Sequence, residues 1–328
     1  MTFDDLFNHK LLIVSGKGGV GKTSVASALG LIASRRGKKT LIAEVNAAER
    51  VSALFGTPEI GYEETRLAEN LYAINIDPRS AFEEYVVDQI HSKKLFHLIF
   101  ENRFVRSFLD ATPGLNELLE IGKIWALAER DKDKSGNPKY DLVIVDAPAT
   151  GHGLAFLNVA QVVTEAVRVG PLKTKAEAIM KLVQDPKKSL LLIVTLAEEM
   201  PINEALEMIQ SAQTLVKVKT GPVIANALYP SRLTESNWKE IRGRLKKIEK
   251  EEWYPNFENA VTAYQKKVLL QHFYVNKLQM RLGNQQVTEL PYLFRAFFDR
   301  NAIEELAEYF QTNFNASAAK SPKKRRRR

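Results

Sequence analysis

The 328-residue chain reads as an α/β protein, a mostly parallel sheet with helices on both faces and helical insertions. Short apolar runs recur along it without polar–apolar alternation, the pattern of strands buried on both faces. The stretches between them carry apolar residues at helical spacing. The first apolar run leads straight into a glycine-rich segment and then a helical pattern, giving strand, loop and helix in succession.

Leu11 to Ser15 is the first strand and Thr23 to Ser34 the helix after the glycine-rich loop. Thr40 to Val45, Leu71 to Ile76, Tyr140 to Asp146, Ser189 to Thr195, Pro222 to Ala225 and Gln286 to Leu290 are the further strands expected. Between the third and fourth lies a helical insertion, about residues 78–139, with apolar stripes Phe82, Val86, Ile90 and Leu118, Ile121, Trp125. Such stripes either pack on the sheet and one another or line a groove. A second helical region follows at about 235–282. These elements form one expected domain over residues 1–312, and residues 313–328, rich in Ala, Ser, Lys and Arg, read as a disordered basic tail.

Lysine and arginine outnumber aspartate and glutamate by 47 to 39, a net charge of +8. Lys320, Lys323, Lys324 and Arg325 to Arg328 supply seven of these charges, so the remainder is near +1 and no polyanion-binding face is implied for the body. There is no cysteine, which excludes disulfides, thiolate-bound zinc, iron–sulfur clusters and a cysteine nucleophile. The first residues lack the features of a secretory signal, and no apolar run reaches the roughly 18 residues a bilayer span needs. A cytoplasmic chain is expected.

Gly16-Lys17-Gly18-Gly19-Val20-Gly21-Lys22-Thr23 fits the phosphate-binding pattern GxxxxGK[ST], with the required strand before it and helix after. The glycines let successive backbone N–H groups turn onto an anion, and the helix N-terminus adds its dipole. This is the loop of a P-loop NTPase. Lys22 is expected to reach the β and γ phosphates of ATP and Thr23 to ligate Mg2+, with Ser24 completing the binding run. Asp146 ends an apolar strand, where a carboxylate holds Mg2+ directly or through water.

With Lys17 as an extra lysine, GKGGVGKT resembles the deviant Walker A motif of the superclass containing MinD, ParA, the nitrogenase reductase and ArsA. The resemblance implies that Lys17 reaches across a homodimer to the partner's nucleotide, where a cation in trans offsets charge on the transferred phosphoryl group. Tyr140 to Leu157, YDLVIVDAPATGHGLAFL, resembles switch II of ArsA-like ATPases, departing at Ala149 and Gly153. There His152 either senses the γ phosphate or makes a loop hydrogen bond. Ile76-Asp77-Pro78 and Ala81 resemble the segment before that family's helical region. Pro222 to Asn226 resembles its strand ending in an adenine-contacting asparagine, and Leu290-Pro291 its loop closing over the base, which implies Asn226 and Pro291 as base contacts. Over residues 10–310 the chain is identified as an ArsA-like ATPase of a bacterial subgroup, in a family that includes the arsenite-pump and guided-entry ATPases.

It departs from the family in switch I, where Ala43-Glu44-Val45-Asn46-Ala47-Ala48-Glu49 places Asn46 on the aspartate that orients the attacking water. An amide positions water but accepts no proton, so slow hydrolysis is expected. Glu44 shares a strand face with Asn46 and either supplies the missing charge or serves as a metal-shell or ion-paired carboxylate. The expected catalytic set is therefore Lys17, Lys22, Glu44, Asn46 and Asp146. Arsenite pumping needs thiols, so arsenite is not the expected substrate. The guided-entry zinc site needs a CxxC pair, and methionine, common in promiscuous apolar grooves, occurs only five times. PKKRRRR attracts any polyanion or simply keeps the chain soluble.

The expected function is that of an Mg2+-dependent, ATP-gated homodimer acting on an unidentified client or membrane partner. The alternatives are a switch that binds ATP with little or no turnover, and a ParA- or MinD-like positioning ATPase using the tail.

Overall fold

The computed structural model describes residues 1–45, 50–90, 112–148, 152–245 and 250–320. The apolar runs pair into one eight-stranded sheet: β1 (Leu11–Ser15), β2 (Thr40–Val45), β3 (Thr65–Ala68), β4 (Leu71–Ile76), β5 (Leu142–Asp146), β6 (Ser189–Leu196), β7 (Thr220–Leu228) and β8 (Val287–Pro291). Their order is β3-β4-β2-β5-β1-β6-β7-β8. Every pairing is parallel except that of β3 with β4. β3 is the strand the sequence does not announce, because it has four residues of which only Leu67 is buried.

The absence of alternation in β1 has its expected cause. Leu11 and Ile13 enter one core and Leu12 and Val14 the other, so both faces of the strand are apolar. The second core lies under α1 (Phe3–Leu6), α2 (Lys22–Arg35), α3 (Arg50–Phe55) and α11 (Arg300–Lys320). The first lies under α5 (Leu115–Trp125), α6 (His152–Ala166), α7 (Pro171–Gln184), α8 (Glu199–Ser211) and part of α10 (Tyr254–Leu282). The remaining helices are α4 (Pro78–Ile90) and α9 (Glu235–Leu245). Both α5 and α8 end in a π-helical turn, at Ala126–Arg130 and Ala212–Val216.

The expected helical insertion contains α4, α5 and a turn at Lys132 to Pro138, and residues 91–111 lie outside the described residues. Of its stripes, Leu118 and Ile121 are buried, whereas Phe82 and Val86 are only partly buried and belong to a separate, smaller apolar cluster. The side chain of Ile90 is outside the described set.

The tail boundary is corrected. Asn313 to Lys320 is not the start of disorder, because α11 runs through to Lys320. Phe310 and Phe314, four residues apart, are both fully buried and meet Phe3 at ring distances of 6.0 and 5.2 Å. Asn313 donates to the carbonyl of Glu289 at 2.7 Å, tying the helix to β8.

Buried on α5, Glu120 has its carboxyl pushed up to about 8, first by burial and then by Glu117 and Asp77. The folded chain therefore keeps a proton that the unfolded chain loses above the ordinary value of 4.5.

Two outcomes follow for stability. Phe314→Ala is expected to cost about 3–5 kcal/mol in denaturant unfolding, against about 0.5 kcal/mol or less for Gln311→Ala on the exposed side of the same helix. Stability carried by protonated Glu120 is complete below pH 4.5 and drains as pH rises towards 8, so Glu120→Gln should match the wild type in Tm near pH 4.5 and exceed it near pH 8.

Candidate nucleotide site

At the C-terminal end of β1 the chain turns through Gly16 to Gly21 into α2. A Cβ at Gly16 would run into the carbonyl of Val194 on β6, so only glycine lets the loop leave this close to the sheet. Gly21 precedes α2 with φ 92°, the left-handed region, and a Cβ there would collide with the amide nitrogen of Asn226. Val20 is buried, Gly18 and Gly19 are exposed, and Ser24 is half-buried on the first turn of α2.

Lys22 is buried and its ammonium donates to the carbonyls of Gly16 and Lys17 at 3.1 and 3.0 Å, curled over the loop it is expected to serve. Burial holds it below the usual lysine value, Asp146 opposes that, and Arg50 adds to it. Thr23 Oγ1 donates to Asp146 Oδ2 at 2.6 Å. In register, Glu44 on β2 pairs with Asp146 on β5, and Asp146 pairs with Val14 on β1, so both carboxylates reach the sheet edge beside the loop.

Glu44 is fully buried, and its Oε1 accepts the backbone N–H groups of Arg50 and Val51, both at 3.1 Å. This caps the start of α3. Burial pushes the carboxyls of Glu44 and Asp146 upward. At Glu44 the two backbone hydrogen bonds oppose the rise; at Asp146 Thr23, Lys22 and Arg50 do. Glu44 Oε2 and Asp146 Oδ1 are buried without a hydrogen-bond partner among the described residues. Two orphaned carboxylate oxygens beside a threonine hydroxyl form an all-oxygen donor set, which suits Mg2+ completed by phosphate oxygens and water. Among the described residues no three His, Asp or Glu side chains gather in one place.

On the far side of the loop Asn226 donates from Nδ2 to the carbonyl of Val20 at 2.9 Å, bracing the loop. Pro291 ends β8 in register with Leu228 on β7. Next to it stand aromatic side chains that the sequence reading passed over. Tyr292 stacks on Tyr229 at 5.1 Å, and Phe294 meets Tyr292 edge-on at 4.8 Å. Lys17, expected to act across a dimer, is paired within its own chain to Glu204 on α8, Nζ to Oε1 at 2.5 Å. Asn46 and residues 149–151 lie outside the described residues, as does the side chain of His152.

The phosphate loop, the strand-end Asp146 and the sheet order around β1 describe a P-loop NTPase, and one family model decides which. That of the anion-transporting (ArsA) ATPases matches residues 9–175, about half the chain. The chain belongs to the ArsA ATPase family. Among curated proteins, 235 residues are 33% identical to the ATPase BagA of Mycobacterium tuberculosis, covering 68% of this chain and 66% of that one, just under two thirds. The ATPase GET3 of Mycosarcoma maydis is 26% identical over 271 residues, 72% and 77% of the two chains. The ATPase get3 of Schizosaccharomyces japonicus is 35% identical over 175 residues, half of each.

In this member of the ArsA family, three residues around the site lie outside the motifs, Glu204, Arg50 and Tyr292. Glu204 is 187 positions from Lys17 in sequence, so no local pattern links them. Arg50 gave a signal that could have been read, a cation directly after the switch I stretch. Its charge is felt by Lys22, Glu44 and Asp146 alike. Tyr292 was one residue beyond the Leu290-Pro291 match.

Gly21→Ala tests the loop geometry. The added methyl should displace Asn226 and cut the affinity for a fluorescent ATP analogue by at least about tenfold, while Gly37→Ala, also at positive φ but with open space around it, should leave that affinity unchanged.

Proposed function

We propose that the protein is an Mg2+-dependent ATP hydrolase that works as a nucleotide-gated homodimer, with slow turnover. The observation that carries this reading is the convergence of Lys22, Thr23, Asp146 and Glu44 on one buried edge, with two carboxylate oxygens still unpartnered. Mg2+, when bound there, neutralises phosphate charge and fixes the phosphate oxygens. Thr23 and Asp146 would hold it, and Lys22 would swing from the loop carbonyls onto the β and γ phosphates. The backbone N–H groups of Gly18 to Thr23 bind and orient the phosphates, and Asn226, Pro291 and the adjoining Tyr292 flank the base.

Glu44 already uses Oε1 to cap α3, which leaves Oε2 to hold a water close to the γ phosphate. With Asn46 at the switch I position, water is positioned by hydrogen bonds rather than deprotonated early. Arg50 supplies a cation in cis at the same edge. Lys17 acts in trans after exchanging Glu204 for the partner's nucleotide. A half-exposed ion pair of this kind is worth about 0–1 kcal/mol, so a polyphosphate outcompetes it. The closing dimer would then shift α8 and the helical insertion, where a client protein or membrane component is met, and the basic end of the chain would add a polyanion contact. No helix among the described residues is long and apolar enough to cross a membrane, and this reading places the protein's action in the cytoplasm. Arsenite is not the substrate in this reading.

A second reading, a switch that binds ATP with little turnover, is favoured specifically by Asn46. Phosphate release from Mg-ATP across protein concentration separates the two. A specific rate that climbs with concentration, drops about a hundredfold in Lys17→Ala and persists in Glu204→Ala is the expected result, with Arg50→Ala intermediate. Tight ATP binding without turnover at any concentration would leave the switch. Equal rates in wild type and Lys17→Ala would remove the trans lysine.

A further inference from the structure

The pairing of β7 with β8 is interrupted where β7 passes the phosphate loop. Ala225 pairs with Glu289 on β8 and Leu228 with Pro291, so Asn226 and Ala227 together stand opposite Leu290 alone. This is a β-bulge, which bends a strand and re-aims a side chain. Ala227 carries the strain of it, with φ 56°, in the left-handed region that a residue with a Cβ avoids. The side chain re-aimed is Asn226, whose Nδ2 donates to the carbonyl of Val20 at 2.9 Å. Because the amide turns its nitrogen to that carbonyl, it presents its oxygen, an acceptor, on the other side.

A strained residue persists only where its surroundings hold it, and the group that holds Ala227 comes from α10. Gln271 is 4% exposed, although glutamine is seldom buried. Its Oε1 accepts the backbone N–H of Tyr229 at 2.8 Å, and its Nε2 donates to the carbonyl of Ala227 at 3.2 Å. A carbonyl and an N–H two residues apart are the pair that one residue of a neighbouring parallel strand would take up. Here a single side-chain amide on a helix does that work. Further along, Tyr264 of α10 donates to the carbonyl of Pro230 and Gln265 to that of Leu233, so the same helix holds the chain after β7. Tyr229, fixed through its N–H, is also the ring on which Tyr292 stacks. One buried amide thus governs both Asn226 and the aromatic pair.

We propose that Gln271 is a positioning residue for base recognition: it locks the bulge at Ala227, and the locked bulge points the Asn226 oxygen at an exocyclic amino group, as on adenine. This rests on the nucleotide site of the proposed function and adds to it a residue that acts through the backbone of β7. It concerns binding of the base and is independent of turnover.

The test is competition of Mg-ATP and Mg-ITP against a fluorescent ATP analogue on the full chain, ITP carrying an oxygen in place of the 6-amino group. The wild type should prefer ATP by about tenfold or more. Gln271→Leu keeps the bulk of the side chain and removes both hydrogen bonds. It should weaken ATP about tenfold and ITP by about twofold or less, which erases most of the preference. Gln271→Glu keeps the acceptor for Tyr229 and loses the donor to Ala227, so its preference should be intermediate. Adding Ala227→Gly, which relieves the positive φ, should return most of the ATP affinity to Gln271→Leu. Gln285→Leu is the matched control, because Gln285 donates to the carbonyl of Gly221 at the other end of β7, at 2.6 Å. It should lower Tm and keep the preference for ATP. Equal affinities of the wild type for ATP and ITP, equal losses of both in the Gln271 variants, no recovery with Ala227→Gly, or the same loss of preference in Gln285→Leu would each overturn the proposal. A wild type that binds neither nucleotide would overturn the nucleotide site itself, and this inference with it.

Discussion

The hydrogen bond from Thr23 to Asp146 joins the first turn of α2 to the end of β5, and the chemistry of the site depends on it. It lies where β2, β5 and β1 run in register, which sets Glu44 beside Asp146 in a region that excludes water. Two buried carboxylates side by side are unfavourable unless other groups compensate. Here the compensation comes from Thr23, Lys22, Arg50 and the two N–H groups at the start of α3. Every one of these belongs to the phosphate loop or to the element after switch I. The groups that would grip a nucleotide are therefore also the groups that make the carboxylate pair tolerable, which couples folding of this edge to its function.

That compensation is incomplete by one oxygen on each carboxylate. Buried polar atoms are nearly always paired in folded proteins, and the exceptions concentrate where a ligand completes the shell. Lys22 donates to loop carbonyls and Lys17 to Glu204, so both cations of the loop have partners within the chain. The Lys17 pair is half-exposed and so contributes little to stability, whereas Lys22 is held in a buried position by the loop it bridges.

Much of this was legible in the chain because it is local. The strand runs, the loop and Asp146 each declare themselves within a few residues, and a buried parallel sheet leaves a continuous apolar imprint. What escaped was either long-range or masked by composition. The Lys17–Glu204 pair spans 187 positions of the chain. The end of the folded body was placed too early because Ala, Ser and Asn dominate the segment after Thr312. The decisive signal was two phenylalanines, 310 and 314, at a spacing that stacks them on one helix face. β3 was missed for the opposite reason, since an edge strand with one buried residue carries almost no pattern.

The clasp of α1 by α11 through Phe3, Phe310 and Phe314 also fixes which way the molecule faces. Both helices cover the α2 side of the sheet, while α4, α5 and α7 belong to the other side. The first and last helices of the described chain are thus fastened together on the face of the sheet opposite α5 and α7, so a change at either one is felt by the other.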